Sequence, residues 1–276
     1  MSSPRVAVVG HVEWVDFVPV SHLPRAGEVL HAGEAFTRAA GGGGVVSVVL
    51  AELGAEVDFF TALGDDADGH AAAEQLQERG VRLHVAWRPL PTRRAVTMLE
   101  DGGERTIVTI GERLDPLGSD ELPWERLAAA DGVFMTAGDK EALRLARRAG
   151  VVVASPRART ALAASSRPTT GSGEPVLDAL VFSAADRDER AWAERTATRT
   201  KLLVATEGAG GGRWWGESEG RWQAAPPPGP PRDSYGCGDS FAAGFTFGLA
   251  GGRTVSEAAA LGAACGARCL TRDGAP

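Results

Sequence analysis

The chain has 276 residues and a mass of 28.7 kDa, with 36 acidic against 29 basic side chains and a formal net charge of −7. At that length a single domain buries roughly three quarters of its unfolded surface, so a large core needs no covalent staples. Interspersed acidic charge excludes general nucleic-acid binding, and no apolar run approaches the ~18 residues of a membrane span. The opening MSSPRVAVVG lacks the basic start and apolar stretch of a signal peptide. Three cysteines (Cys237, Cys265 and Cys269) cannot close a paired disulfide framework, which points to a reducing, cytoplasmic setting. Asparagine is absent and lysine occurs only at Lys140 and Lys201, a bias that GC-rich coding explains.

In chain order, Arg5 to Gly10 reads as a buried first strand, followed by short strands at Val15–Val20 and Val29–Phe36 around the turn Leu23 to Gly27. Gly41 to Gly44 introduce an apolar helix, Val45 to Leu53, which stops at Gly54. A strand over 56–61 and a helix over 68–79 come next. Arg94–Glu100 and Arg105–Ile110 form a hairpin about Asp101-Gly102-Gly103. From residue 119 onward helices (119–129, 139–149, 157–165, 186–196) alternate with strands (132–136, 151–154, 178–182, 202–206), the signature of βαβ units and a parallel sheet. Ser165 to Glu174 reads as a disordered insert, Pro226 to Pro231 as an extended loop, and helices over 239–249 and 254–269 close the chain.

Three glycine-rich segments carry the chemistry. In Asp233-Ser234-Tyr235-Gly236-Cys237-Gly238-Asp239-Ser240-Phe241, two glycines permit a tight turn directly before a helix, whose N-terminal amides favour an anion. Asp239 then stands where it accepts a proton from an attacking hydroxyl, or else merely caps the helix. Gly41 to Gly44 let backbone approach a ligand or only make a tight loop, and they do not complete a G-x-G-x-x-G fingerprint. Thr206-Glu207-Gly208-Ala209-Gly210-Gly211 follows a strand, where ligand loop and hairpin turn are both open readings. Gly216-Glu217-Ser218-Glu219-Gly220 matches a serine-nucleophile pattern, but it sits between strands, so it reads as a hairpin tip. The histidines lack metal-ligand spacing, and no Gly-Lys pair exists for a P-loop.

In this order the segments resemble the ribokinase-like (PfkB) carbohydrate kinases: Gly41–Gly44, then Gly64-Asp65-Asp66-Ala67-Asp68-Gly69, then Thr206 to Gly211, then the Gly236-Cys237-Gly238-Asp239 signature. The resemblance implies an α/β fold with three α/β/α layers, a mainly parallel sheet and a small β-sheet lid. It implies one kinase domain over 1–276, with lid strands drawn from about 12–38 and 92–111. It also implies ATP-dependent phosphorylation of a sugar or sugar-like alcohol, with Mg²⁺ on the nucleotide and a monovalent cation as a further candidate. Asp239 would be the base, Gly236, Cys237 and Gly238 the anion hole, and Thr206, Gly208 and Gly211 the nucleotide side. Asp16, Gly42 and Gly43 would meet the acceptor, with Glu13 competing for the role of Asp16. Asp186 would act on the metal through water. Ribokinase-type members carry Lys and Asn in the glycine motif, where this chain has Gly42 and Val45, and their Asn-x-x-Glu becomes Ser183 to Asp186. A nucleoside kinase and a non-catalytic ligand-binding relative are the alternatives. Dimers through the lid are common in such proteins, and Val15, Val18, Val96 and Met98 are the apolar lid residues expected to serve one.

Overall fold

Alternating apolar residues on the first strand set up the whole architecture. In the computed structural model, which describes residues 3–162 and 177–276, β1 (Arg5–Val9) lies third from one edge of a nine-stranded sheet. Val6 and Val8 point into one hydrophobic cluster, Ala7 and Val9 into another on the opposite face. This is the period of two that a strand buried on both sides requires. The expected insert Ser165–Glu174 lies outside the described residues.

On one side of β1 run β4 (Glu56–Gly64) and β5 (Arg82–Arg88), and on the other β8 (Gly132–Met135), β9 (Val151–Ala154), β10 (Leu177–Ser183) and β11 (Thr200–Thr206). All these pairings are parallel. β12 (Gly212–Gly216) and β13 (Gly220–Trp222) add an antiparallel edge, so Gly216 to Gly220 is the tip of a hairpin. Helices α1 (Gly41–Glu52), α2 (Ala67–Glu78), α6 (Cys237–Ala250) and α7 (Val255–Cys269) supply the first cluster with Val49, Leu76, Phe245 and Ala258. Helices α3 (Lys140–Ala146), α4 (Arg159–Leu162) and α5 (Arg187–Thr196) supply the second with Leu143, Ala161 and Ala193. Each large apolar side chain withdrawn from water in these layers contributes about 1.5–3 kcal/mol.

A second sheet of four strands forms the lid, in the order β3 (Phe36–Ala40), β2 (Glu13–Val20), β6 (Arg94–Glu100), β7 (Arg105–Ile110). Its central pair, β2 with β6, is parallel, and the outer pairs are antiparallel. Gly103, with φ +81°, closes the β6–β7 hairpin as its Asp-Gly-Gly sequence demands.

Four expectations change. The strand expected over Val29–Phe36 has no ladder before Phe36, because Glu28, His31 and Glu34 face solvent. β5 was not foreseen: its half-exposed RLHVAWR shows no clean alternation. The helix expected over 119–129 is a 3₁₀ turn at Trp124–Ala129, set off by Pro123. Of the apolar lid residues, Val15 is fully buried, and the exposed ones are Ile107, Val108 and Ile110 on β7.

Candidate active site

The site lies where the carboxyl ends of β1, β8 and β9 meet the first turns of α1 and α6. Gly236 adopts φ +73°, a left-handed conformation that favours glycine, and so turns the chain into α6. The loop before it is pinned by Asp233, whose Oδ1 accepts the Tyr235 amide at 2.7 Å and whose Oδ2 accepts the Gly274 amide at 2.6 Å. Tyr235 meets Phe17 of the lid edge-on, with ring centroids 4.9 Å apart. Beneath the turn lies Val45, 3.2 Å from the point a Gly236 side chain would occupy. The position where ribokinase-type members carry Asn is here a packing residue.

The amides of Gly238 and Asp239 enter no hydrogen bond among the described residues, and a side chain at Gly238 would meet nothing within 4 Å. The turn expected to form an anion hole is therefore open. Asp239 does not cap the helix, since α6 has no side-chain cap. Its Oδ1 instead receives the Arg157 Nη1 at 2.6 Å. Arg157 stands on the 3₁₀ turn Pro156–Ala158 after β9, with its guanidinium charge reinforced by the Asp239 carboxylate. The Cys269 side chain and burial push the Cys237 thiol pKa up.

The four glycines of α1 differ in how closely they are approached. Gly41, at φ +76°, passes beside Glu13. A side chain at Gly42 would meet Thr136 Oγ1 at 2.8 Å and Arg157 Nη1 at 3.0 Å. Gly43 lies against the Phe59 ring and the His11 carbonyl, which accepts its amide at 3.1 Å. Gly44 has ordinary contacts only. Around Gly42 a polar floor collects: His11, Thr136 and Ser155, all buried, with His11 Nδ1, Thr136 Oγ1 and Ser155 Oγ lacking partners among the described residues. His11 Nε2 accepts the Gly42 amide at 3.4 Å, which assigns the ring proton to Nδ1. Burial, with Arg113, Arg157 and Arg93 nearby, holds this imidazole neutral well below its ordinary pKa.

Glu13, not Asp16, shares the neighbourhood of Asp239. Odd positions of β2 face inward, so Glu13, Val15 and Phe17 are buried while Asp16 points the other way. Asp16 pairs with Arg94 at 2.7 Å and accepts the Thr37 hydroxyl at 3.0 Å. Glu13 pairs with Arg93 at 2.9 Å, and burial raises its carboxyl pKa. A similar exchange occurs on α5. Asp186 spends its carboxylate capping that helix through the amides of Asp188 and Glu189. Glu189 is the half-buried carboxylate there, its Oε2 accepting the Ser183 amide at 2.9 Å; partial burial raises its pKa, and it lies within electrostatic reach of Arg157 and Asp239.

Of the residues expected on the nucleotide side, Thr206 ends β11 and its hydroxyl donates to the Phe182 carbonyl at 3.3 Å. Gly208 has open space around it, whereas Gly211 packs so closely on Trp222 of β13 that no side chain fits. A wide depression of about 930 Å³, lined by Arg38, Glu52, Arg79, Arg232 and Asp273, contains none of these residues.

The family model of the pfkB family carbohydrate kinases matches residues 3–163 and 175–276. The chain belongs to that family. An ATP-dependent ribose-1-phosphate kinase of Halopiger xanaduensis is 29% identical over 98% of this chain and 93% of its own length. An acarbose 7(IV)-phosphotransferase of Actinoplanes is 28% identical over 94% and 89%. A ribokinase of Arabidopsis thaliana is 28% identical over a shorter stretch, covering 55% of this chain and 37% of that protein. Among solved structures, an Arabidopsis ribokinase complexed with ribose and ATP superposes with a TM-score of 0.76 at 21% identity over 99% of this chain and 95% of that one. A microbiome-derived acarbose kinase superposes with a TM-score of 0.79 at 24% identity, over 99% and 94%. These last two establish a shared ribokinase-like fold.

Proposed function

We propose that this pfkB-family chain, acting as one domain over 1–276, transfers the γ-phosphoryl group of ATP to a hydroxyl of a sugar or sugar-like molecule. The observation that carries this reading is Asp239, uncommitted to helix capping, beside the unpaired amides of Gly238 and Asp239 at the start of α6. The acceptor oxygen attacks the γ-phosphorus, its proton passes to the Asp239 carboxylate, and ADP leaves. The helix N-terminus stabilises the charge on the transferring group. In a loose transition state the proton leaves late, so orientation matters more than basicity.

Mg²⁺ would arrive with the nucleotide and neutralise phosphate charge. No group of three or more metal-ligating side chains exists among the described residues, which fits an ion held by phosphates, water and one carboxylate. Glu189 is our choice for that carboxylate, ahead of Asp186. Thr206 and Gly208 would border the nucleotide. Dependence on a monovalent cation is tested by exchanging potassium for sodium. Pairing of two copies through the lid is proposed at Ile107, Val108 and Ile110, with sedimentation as its test. Three free cysteines support a cytoplasmic setting; no helix among the described residues is long and apolar enough to cross a membrane.

ATP consumption with pentoses, hexoses, sugar phosphates and nucleosides tests the activity. Asp239→Asn should lower turnover at least ~10²-fold, the lower range for a lost general base. Near-wild-type turnover in that variant would remove Asp239 from the mechanism.

A further inference from the structure

We infer that the acceptor carries an anionic group, phosphate or carboxylate, and that Arg157 is the residue that selects it. The inference rests on Asp239 being the base. Arg157 occupies the space directly over Gly42, between the first turns of α1 and α6, where an acceptor hydroxyl must lie to reach Asp239. Three arginines surround this space, and two have carboxylate partners of their own: Arg93 with Glu13 and Arg113 with Asp115, both at 2.9 Å. Arg157 is different. Its ion-pair partner among the described residues is the base itself. Its main chain is also fixed, since its carbonyl accepts Arg113 Nη1 at 3.1 Å, whereas its side chain remains 45% exposed to the cleft.

A guanidinium tied to the base is an obstacle for a neutral acceptor. A neutral hydroxyl that takes Oδ1 displaces Arg157, and nothing then replaces the lost charge. An anionic acceptor exchanges one pairing for another: its phosphate or carboxylate takes the planar fork of Arg157, and Oδ1 becomes free for the hydroxyl. Displacing Arg157 also uncovers the floor beneath it, where His11 Nδ1, Thr136 Oγ1 and Ser155 Oγ offer unpaired polar atoms to sugar hydroxyls. Substrate charge and base release are thereby coupled in one side chain. A site built to pair a substrate group discriminates strongly against the analogue that lacks it.

The test compares neutral pentoses and hexoses with their monophosphates and with the corresponding sugar acids, in the full chain. The expected result is a kcat/KM on one charged class at least about tenfold above that on its neutral parent. Arg157→Met should bring that ratio to within about threefold of unity, mainly through KM, and Arg157→Lys should restore part of it. The phosphate and acid arms identify which anion is read. Calorimetric titration of the ATP-free protein with the same sugar monophosphates and acids reads the site independently of turnover. Asp239→Asn should bind the charged sugar at least as tightly as wild type, because Arg157 loses its competitor, and Arg157→Met should bind it at least about tenfold more weakly. Equal or better turnover of neutral sugars overturns the inference while leaving the kinase reading intact. So does an unchanged ratio in Arg157→Met. If no acceptor turns over, the kinase reading fails, and the titration still decides whether Arg157 binds the anion.

Discussion

Adjacent glycines in α1 should respond to the same substitution with opposite signs. A methyl group at Gly43 would stand 2.7 Å from Phe59 Cζ and 2.8 Å from the His11 carbonyl oxygen. Neither can retreat: Phe59 is fully buried, and the carbonyl is held by the Gly43 amide at 3.1 Å. Gly43→Ala therefore overpacks the junction of α1 with β1 and should cost about 1–3 kcal/mol. A methyl at Gly44 would find its nearest atom, the Ala39 carbonyl carbon, at 3.7 Å, an ordinary contact inside a helix. Gly44→Ala should stabilise by about 0.4–1 kcal/mol, since alanine restricts the unfolded chain more than glycine does. Urea unfolding of both variants, read as midpoint shifts at a common slope, measures the contrast. Equal destabilisation by the two, or a neutral Gly43→Ala, would refute the view that close approach rather than helix propensity dictates the run.

Two further outcomes follow from the site. His11 is held neutral in the folded protein well below its ordinary pKa, by burial first and then by Arg113, Arg157 and Arg93. The unfolded chain thus takes up this proton first as pH falls. Its contribution is complete above about pH 6.5 and declines below it, by up to about 1.4 kcal/mol per pH unit, until the folded pKa is reached. Urea unfolding at pH 7.5, 6.5 and 5.5 should show a shallower acid slope in His11→Gln than in wild type, and parallel slopes would contradict this. At the lid, Glu13→Gln should lower kcat/KM at least about tenfold and Asp16→Ala less than about threefold, because only Glu13 faces the cleft. Steady-state kinetics with the best acceptor checks the pair, and the reverse order would return the substrate role to Asp16.

The α6 signature was legible because its requirements are local. A left-handed turn favours glycine, and a helix start leaves amides free, so Gly236, Gly238 and Asp239 are readable from nine consecutive residues. Alternation likewise exposed β1 and the parallel core. Arg157 was not legible, since nothing in Ser155-Pro156-Arg157 announces a partner 82 residues away. Choosing Glu13 over Asp16 required the phase of β2, which depends on which face the lid turns inward. Choosing Glu189 over Asp186 required knowing where α5 begins, because the residue that caps a helix spends its carboxylate on the cap. The polar floor is scattered over the ends of three strands, and its members become a group only when those strands lie side by side.

The parallel joint at the centre of the lid has a further consequence, for the order in which the molecule assembles. Trp14 pairs with Arg94, and Val20 with Glu100, so β2 leaves the ribosome long before its partner exists. During that interval β2 can pair only with β3 and presents one unpaired edge, with Val15 and Phe17 still in water. Pairings so distant in sequence are slow to close, and an open apolar strand edge invites association with other chains. The β2–β6 joint should accordingly close only once Glu100 has emerged, and until then β2 is a segment that depends on chaperone cover.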